Sequence, residues 1–154
     1  MNIQGKFPNT RLRRNRMKEF SRRLVAENNL SADDLILPLF VCEGNNVEDP
    51  IQSMPGVSRY SIDKLLHKVE EAVKLSIPAI AIFPQIEASL KNNEGSLAFD
   101  ENNLVCRSIK SIKKEFSGIG IICDVALDPF TDHGHDGLVI DNKIDNDRTL
   151  EVLE

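Results

Sequence analysis

The stretch Ile119-Gly120-Ile121-Ile122-Cys123-Asp124-Val125-Ala126-Leu127-Asp128-Pro129-Phe130-Thr131-Asp132-His133-Gly134-His135-Asp136-Gly137 decides how this chain is read. Its first part, Ile119 to Cys123, has the composition of a buried strand. The remainder sets four aspartates and two histidines within thirteen residues, while Pro129, Gly134 and Gly137 forbid a regular continuation. Strand side chains alternate between faces, so Asp124, Ala126 and Asp128 are expected to point one way and Val125 and Leu127 the other. The aspartates recur every four residues, a spacing that would suit one face of a helix, but the proline and glycines of the segment argue against it. Strand followed by loop remains, with ionisable groups crowded at the strand end. Such a segment reads either as a site or as an acidic, solvated turn whose Asp and Gly serve turn chemistry.

Working outward, the rest of the chain supplies the partners of that strand. Leu35-Ile36-Leu37-Pro38-Leu39-Phe40-Val41 is a continuous apolar run, the pattern of a strand buried on both faces, although Pro38 removes one ladder donor. A long connection follows, Cys42 to Tyr60, punctuated by Gly44, Pro50, Pro55 and Gly56, and is expected to be a functional loop or a small hairpin. Ser61 is placed to cap a helix whose apolar positions, Ile62, Leu65, Leu66, Val69, Ala72 and Val73, share one face, with His67 among the exposed positions. Ala79 to Pro84 forms the second buried strand, and residues 85–100 make another long loop. A second helix spans Glu101 to Phe116, with Leu104, Val105, Ile109, Ile112 and Phe116 inward.

Beyond the opening stretch, Leu138-Val139-Ile140 and Lys143-Ile144 suggest a hairpin through Asp141-Asn142, and residues 146–154 start a helix. The alternation of strand and helix gives parallel strands, and both a doubly wound sheet and a (β/α)₈ barrel place ligands at the carboxyl ends of strands. No G-x-G-x-x-G or G-x-x-x-x-G-K-[ST] falls in a strand-to-helix turn, so a barrel is favoured. A barrel usually needs about 250 residues, so these strands are expected to form its first half, in a truncated chain.

Composition sets outer limits. With 154 residues, 41% of them hydrophobic and 28% charged, the chain suits a soluble protein with one core. It has no run of about 18 apolar residues, and Met1 to Thr10 lacks the apolar core of a signal peptide, so a cytoplasmic protein without a membrane segment is expected. Cys42, Cys106 and Cys123 lie far apart without a C-x-x-C pair and read as buried thiols. The net charge is −5, yet Arg11, Arg13, Arg14, Arg16, Lys18, Arg22 and Arg23 gather near the start. Residues 1–10 read as an extended arm and residues 10–29 as a basic helix with Phe20, Leu24 and Val25 on one stripe. Without interleaved aromatics, and on an acidic chain, that basic segment is expected to touch protein rather than nucleic acid. The division expected is an arm and basic helix over residues 1–30 and a half-barrel over 31–154.

These residues resemble the delta-aminolevulinic acid dehydratases, or porphobilinogen synthases. The resemblance runs from the arginine-rich arm through Asp34-Leu35-Ile36-Leu37-Pro38-Leu39-Phe40-Val41-Cys42-Glu43-Gly44 and Pro50-Ile51-Gln52-Ser53-Met54-Pro55-Gly56 to the specific motif over residues 124–137. It implies a homo-oligomeric (β/α)₈ barrel, joined through its N-terminal arm, that condenses two molecules of 5-aminolevulinate into porphobilinogen in tetrapyrrole synthesis. It also implies two lysines on later strands, at least one forming a Schiff base with a substrate ketone; no position here matches either, so the 154 residues alone are expected to be inactive. Asp124 matches a family aspartate near a substrate ammonium, a contact that a charge-assisted hydrogen bond would supply. Zinc-dependent members carry cysteines at the positions of Ala126, Asp128 and Asp136, so no zinc is expected here, and magnesium is the expected activating or allosteric ion, with ligands unassigned. The candidate substrate-binding residues are therefore Asp124, Asp128, Asp136 and His135, with Asp132 and His133 ranked below them. Two other readings stay open: another barrel lyase or aldolase, and a non-catalytic association fragment.

Overall fold

Parallel strands with helices on one side organise the larger part of the molecule, which is seen in a computed structural model describing residues 5, 6, 8–11 and 13–154. Of the arm expected over residues 1–10, residues 1–4 and 7 lie outside the described residues, as does residue 12 of the basic helix. Met1–Ser31 and Ala32–Glu154 are separate compact units. Among the described residues no helix is long and apolar enough to cross a membrane.

In the first unit the single basic helix expected over residues 10–29 is broken in two. Helix α1 spans Arg14–Met17 and α2 spans Glu19–Leu24, with Lys18 extended between them at φ −118° and ψ 148°. The Ser21 hydroxyl donates to the carbonyls of Asn15 at 3.1 Å and Lys18 at 3.0 Å, and Arg22 donates to the Arg16 carbonyl at 3.0 Å, which satisfies the turn locally. The expected apolar stripe is not buried: Phe20 is 63% and Leu24 80% exposed. Helices shorter than about 12–15 residues are marginal without a packed face, and none is supplied by the described residues of this unit.

In the second unit the strands are β1 (Ile36–Val41), β2 (Glu48–Pro50), β3 (Ser58–Tyr60), β4 (Ala79–Pro84) and β5 (Gly120–Cys123), in the order β2-β3-β1-β4-β5. Strands β3, β1, β4 and β5 are mutually parallel, and β2 lies antiparallel on β3. The connection 42–60 is thus a hairpin whose second strand joins the sheet, a pairing that three residues, Ser-Arg-Tyr, are too short to reveal by pattern. Helices α3 (Ile62–Lys74) and α4 (Leu104–Glu115) share one face of this sheet. The core lies between them, built from Leu39, Val41, Ile80 and Ile82 of the strands and Leu65, Val69, Ala72, Leu104 and Ile112 of the helices.

The opposite face is uncovered, which corrects the expectation of strands buried on both faces. Along β1, Leu39 and Val41 are buried while Ile36 is 53% exposed, and Phe83 of β4 and Ile122 of β5 are 36% and 46% exposed. Because side chains alternate, helices on one side leave every second apolar residue of the strands without a covering layer among the described residues.

Helix ends also differ from expectation in instructive ways. α4 begins three residues later than expected because Asn103 caps it, its Oδ1 accepting from the Cys106 amide at 2.9 Å. Ser61 does occupy the N-cap of α3, but its hydroxyl makes no cap bond to the helix. It accepts from the Val47 amide at 2.9 Å and donates to Asp63 Oδ1 at 2.6 Å. Asp63 in turn accepts the amide of Asn46, whose φ is +56°, at 2.9 and 3.2 Å. This knot ties the start of the hairpin connection to α3. Val73, on the last turn of α3, is 44% exposed rather than inward.

The C-terminal elements follow the sequence closely. Strands β6 (Val139–Ile140) and β7 (Lys143–Ile144) pair antiparallel through Asp141 and Asn142, both at positive φ, as a tight two-residue hairpin requires. Helix α5 (Asn146–Leu153) is capped by Asp145, which accepts from the Arg148 amide at 3.1 Å. Gly137 sits where a Cβ would meet Ile144 Cγ2 at 2.9 Å and Thr149 Oγ1 at 3.1 Å, so only glycine lets the loop lie against this hairpin and helix.

The Ser61 hydroxyl, and after it the Asn46 amide, hold the Asp63 carboxyl below its ordinary value. A depressed carboxyl contributes stability that is present above the unfolded value of about 3.9 and is lost as pH falls through the folded one. The urea midpoint of Asp63→Ala is therefore expected below that of the parent chain at pH 7, by a gap that holds down to about pH 5 and narrows below about pH 4. A gap independent of pH would show that the carboxylate charge does not hold the knot.

Candidate active site at the strand ends

Residues that end the parallel strands converge on one cleft. Strand β5 stops at Cys123, where its pairing with β4 ends at Ile82, and the chain leaves the sheet there. The strand-like alternation expected for residues 124–128 is consequently not kept: Val125 is 70% exposed, while Leu127 is buried under the loop. Asp124, Ala126 and Asp128 nonetheless line the same cleft, of about 210 Å³, together with Phe40 of β1 and with Phe83 and Pro84 of β4. Phe40 and Phe83 lie opposite each other in the β1–β4 register, with ring centroids 5.7 Å apart. The cleft thus has an aromatic wall and a carboxylate rim.

Asp136 and His135 stand elsewhere. Asp136 Oδ1 accepts the Leu127 amide at 2.8 Å, which folds the loop back and fixes buried Leu127. The His135 ring lies against that of His133, with centroids 5.4 Å apart, and the His135 carbonyl accepts from Thr131 Oγ1 at 3.0 Å. His133 itself makes a 3.3 Å contact through Nε2 with the Asn93 carbonyl, and its Nδ1 accepts the His135 amide at 3.1 Å. Asp132 is exposed, its amide donating to the Asn92 carbonyl at 3.1 Å. Asp124 and Asp128 therefore share the cleft, whereas Asp136, His135 and His133 organise the loop beside it.

Asn92 is a residue that sequence reasoning missed. It forms an isolated parallel bridge with Thr131, its amide donating to the Phe130 carbonyl at 3.3 Å, so the loops after β4 and β5 are joined backbone to backbone. Its side-chain Oδ1 accepts the amides of Glu94 and Ser96, both at 3.1 Å. An asparagine among several in a polar loop carries no sequence signal of such a role.

The thiols fit the same geometry only in part. Cys42 is buried as expected, but Cys106 and Cys123 are half-buried, Cys123 packing on the core cluster while also lining the cleft. Burial, and secondarily Cys106, pushes the Cys123 thiol above its ordinary value, which disfavours the nucleophilic thiolate. Among the described residues no group of three or more His, Cys, Asp or Glu is placed to hold a metal ion.

A parallel sheet with helices on one face and carboxylates gathered at its strand ends defines an α/β protein of the kind that binds small ligands there. The comparisons make the assignment specific. The family model for delta-aminolevulinic acid dehydratase matches residues 9–154, and the chain belongs to that family. It is 57% identical over 143 residues to the delta-aminolevulinic acid dehydratase of Bradyrhizobium diazoefficiens, covering 93% of this chain and 40% of that one. The Chlamydia pneumoniae enzyme of the same name is 42% identical over 143 residues, covering 93% of this chain and 43% of its own. The crystal structure of porphobilinogen synthase from Toxoplasma gondii ME49, in complex with the reaction product porphobilinogen, superposes with a TM-score of 0.87 at 40% identity, covering 94% of this chain and 41% of that one. The chain spans about two-fifths of the length of these relatives.

The bond from Asp136 to Leu127 is open to direct test. Asp136→Ala is expected to speed hydrogen exchange at the Leu127 amide by at least about tenfold, the equivalent of one net hydrogen bond, with His135→Ala leaving it unchanged. Equal protection in both variants would remove Asp136 from the loop's support.

Proposed function

We propose that the protein to which this chain contributes is a porphobilinogen synthase, condensing two molecules of 5-aminolevulinate to porphobilinogen in tetrapyrrole synthesis. The observation that carries the reading is Asp124 at the rim of a strand-end cleft walled by Phe40 and Phe83, in a chain of the dehydratase family. In this reading the Asp124 carboxylate accepts hydrogen bonds from the substrate ammonium, and a bond of that kind strengthens as the aromatic wall excludes water. Asp128, on the same rim, adds negative charge that favours a cationic amine. Asp136 and His135 serve by holding the loop that carries both. The Schiff-base lysines belong to the part of the family's length that this chain does not span, so these 154 residues supply the amine-binding side of the site and do not turn over alone.

The architecture proposed for the whole protein is a (β/α)₈ barrel whose first half is Ala32–Glu154, preceded by the arm. What supports it is the uncovered sheet face: Ile36, Phe83 and Ile122 are the apolar lining that further strands would bury. The arm, with Met17, Phe20 and Leu24 exposed, is proposed to pack on a neighbouring subunit of a homo-oligomer. Its apolar area would contribute more than its arginines, since exposed ion pairs are worth roughly 0 to 1 kcal/mol. The same reading places the enzyme in the cytoplasm, without nucleic-acid or membrane partners.

The residues at the strand end do not fit a zinc centre. Ala126 offers no donor atom, and one oxygen of Asp136 is already bonded to the Leu127 amide, so no three-ligand set forms from positions 126, 128 and 136. Hard carboxylates suit magnesium better than zinc, and magnesium is proposed as an activating or allosteric ion whose ligands are not assigned.

The full-length protein incubated with 5-aminolevulinate is expected to form porphobilinogen and to keep that activity in 1,10-phenanthroline. Asp124→Asn is expected to lower kcat/KM by roughly 10- to 100-fold, the worth of one charge-assisted hydrogen bond. Absence of porphobilinogen would refute the reaction, and loss of activity restored only by zinc would refute the metal assignment.

A further inference from the structure

Asp128 stands inside a closed turn. The amides of Phe130 and Thr131 both donate to the Leu127 carbonyl, at 2.8 and 3.0 Å, so residues 127–131 form one backbone unit with Asp128 directed to the cleft. That unit is held at two ends. Asp136 takes the Leu127 amide at one end. At the other, the backbone of Asn92 donates to the Phe130 carbonyl at 3.3 Å and accepts the Asp132 amide at 3.1 Å.

The second anchor is only as firm as the turn that presents it, and that turn is built by the Asn92 side chain. Its Oδ1 accepts the amides of Glu94 and Ser96, and its Nδ2 donates to Ser96 Oγ at 2.6 Å. The Asn92 carbonyl, which holds Asp132, also accepts the Gly95 amide at 3.2 Å and so belongs to the same turn. Gly95, buried at φ +60°, seats the turn on the aspartate loop: a Cβ there would lie 3.4 Å from Thr131, 3.6 Å from Leu127 and 3.7 Å from Phe130. Its base is fixed as well. Buried Asn103, which caps α4, donates through Nδ2 to the carbonyls of Leu97 at 3.4 Å and Ala98 at 3.1 Å. From the cap of α4 to the turn that carries Asp128, the chain of bonds passes through Asn92, which itself lies outside the cleft lining.

We propose that Asn92 is a positioning residue for the reaction, its carboxamide shaping the 92–96 turn so that the turn's backbone holds Asp128 at the cleft rim; the proposal rests on the reading of that cleft as the amine-binding side of a porphobilinogen synthase. A carboxylate that must meet an ammonium is useful only within hydrogen-bond reach of it, so looseness in the turn lowers turnover without removing any group that touches substrate. The two acceptor bonds of Oδ1 need only an oxygen, and Ser96 Oγ can donate as readily as accept. Aspartate at position 92 therefore preserves the turn, and alanine does not.

The test is a double-mutant cycle in the full-length protein, each variant checked for a native circular dichroism spectrum. Asn92→Ala is expected to lower kcat/KM for 5-aminolevulinate by about three- to tenfold, the equivalent of one net hydrogen bond, and Asn92→Asp to stay within about twofold of the parent. In an Asp128→Asn background Asn92→Ala should cost less than about twofold further, since the group it positions is already gone. Exchange at the Asp132 amide should quicken about tenfold or more in Asn92→Ala and hold its parent rate in Asn92→Asp. Should Asn92→Ala fail to fold, Asn92→Ser, whose hydroxyl accepts one of the two amides, takes its place in the cycle. An equal loss in both backgrounds, failure of aspartate to rescue, or unchanged kcat/KM in Asn92→Ala overturns the proposal. If the full-length protein makes no porphobilinogen, the dehydratase reading falls and exchange alone decides: a quickened Asp132 amide restored by Asn92→Asp sustains Asn92 as the residue that positions the Asp128 turn, and an indifferent one overturns it.

Discussion

The period-two alternation of side chains along parallel strands is the constraint on which the rest of this structure depends. Once α3 and α4 take one face of the sheet, Leu39, Val41, Ile80 and Ile82 are committed to the core. The residues between them, Phe40, Ala81 and Phe83, are then committed to the other face. That second face is apolar along the strands and charged at their carboxyl ends, with Arg59 on one side and Asp124 on the other. The same geometric rule produces both the core and the site.

What the rule cannot do is hold the loops. Beyond Cys123 the backbone has no strand to pair with, so its position comes from particular bonds: Leu127 to Asp136, and Asn92 to both Phe130 and Asp132. These join the two strand-end loops into one wall and keep Asp124 and Asp128 facing the aromatic pair. Polar residues that look like chemistry in the sequence thus divide into those that face the cleft and those that build it.

The sequence made α3 and α4 legible through a 3.6-residue period sustained over several turns, and the three longer strands as short apolar runs, whereas the break at Lys18 between α1 and α2 had no such signal. The β6–β7 hairpin was legible because Asp141-Asn142 is a turn signal at the required spacing. Strand β3 was not, since three residues cannot show a period and Tyr60 and Arg59 suit many settings. The open sheet face was hidden for a different reason: an apolar run reads as buried on both sides whether or not the covering element is present in the chain. That Asp124 and Asp128 line one cleft was legible from their place at a strand end. The bond that occupies Asp136 and the part played by Asn92 depend on how two distant loops meet, which no local pattern encodes.

The central claim is that the uncovered face is the interior of a larger barrel, and Ile122 tests it most directly because it is half-exposed in the middle of β5's open side. Denaturation of Ile122→Ala should cost the 154-residue chain less than about 1 kcal/mol, the usual range for exposed positions. The same change should cost the full-length protein about 2–5 kcal/mol, the range for truncating a buried isoleucine. An equally small cost in both would contradict the account, since it would mean that nothing beyond these residues packs on that face.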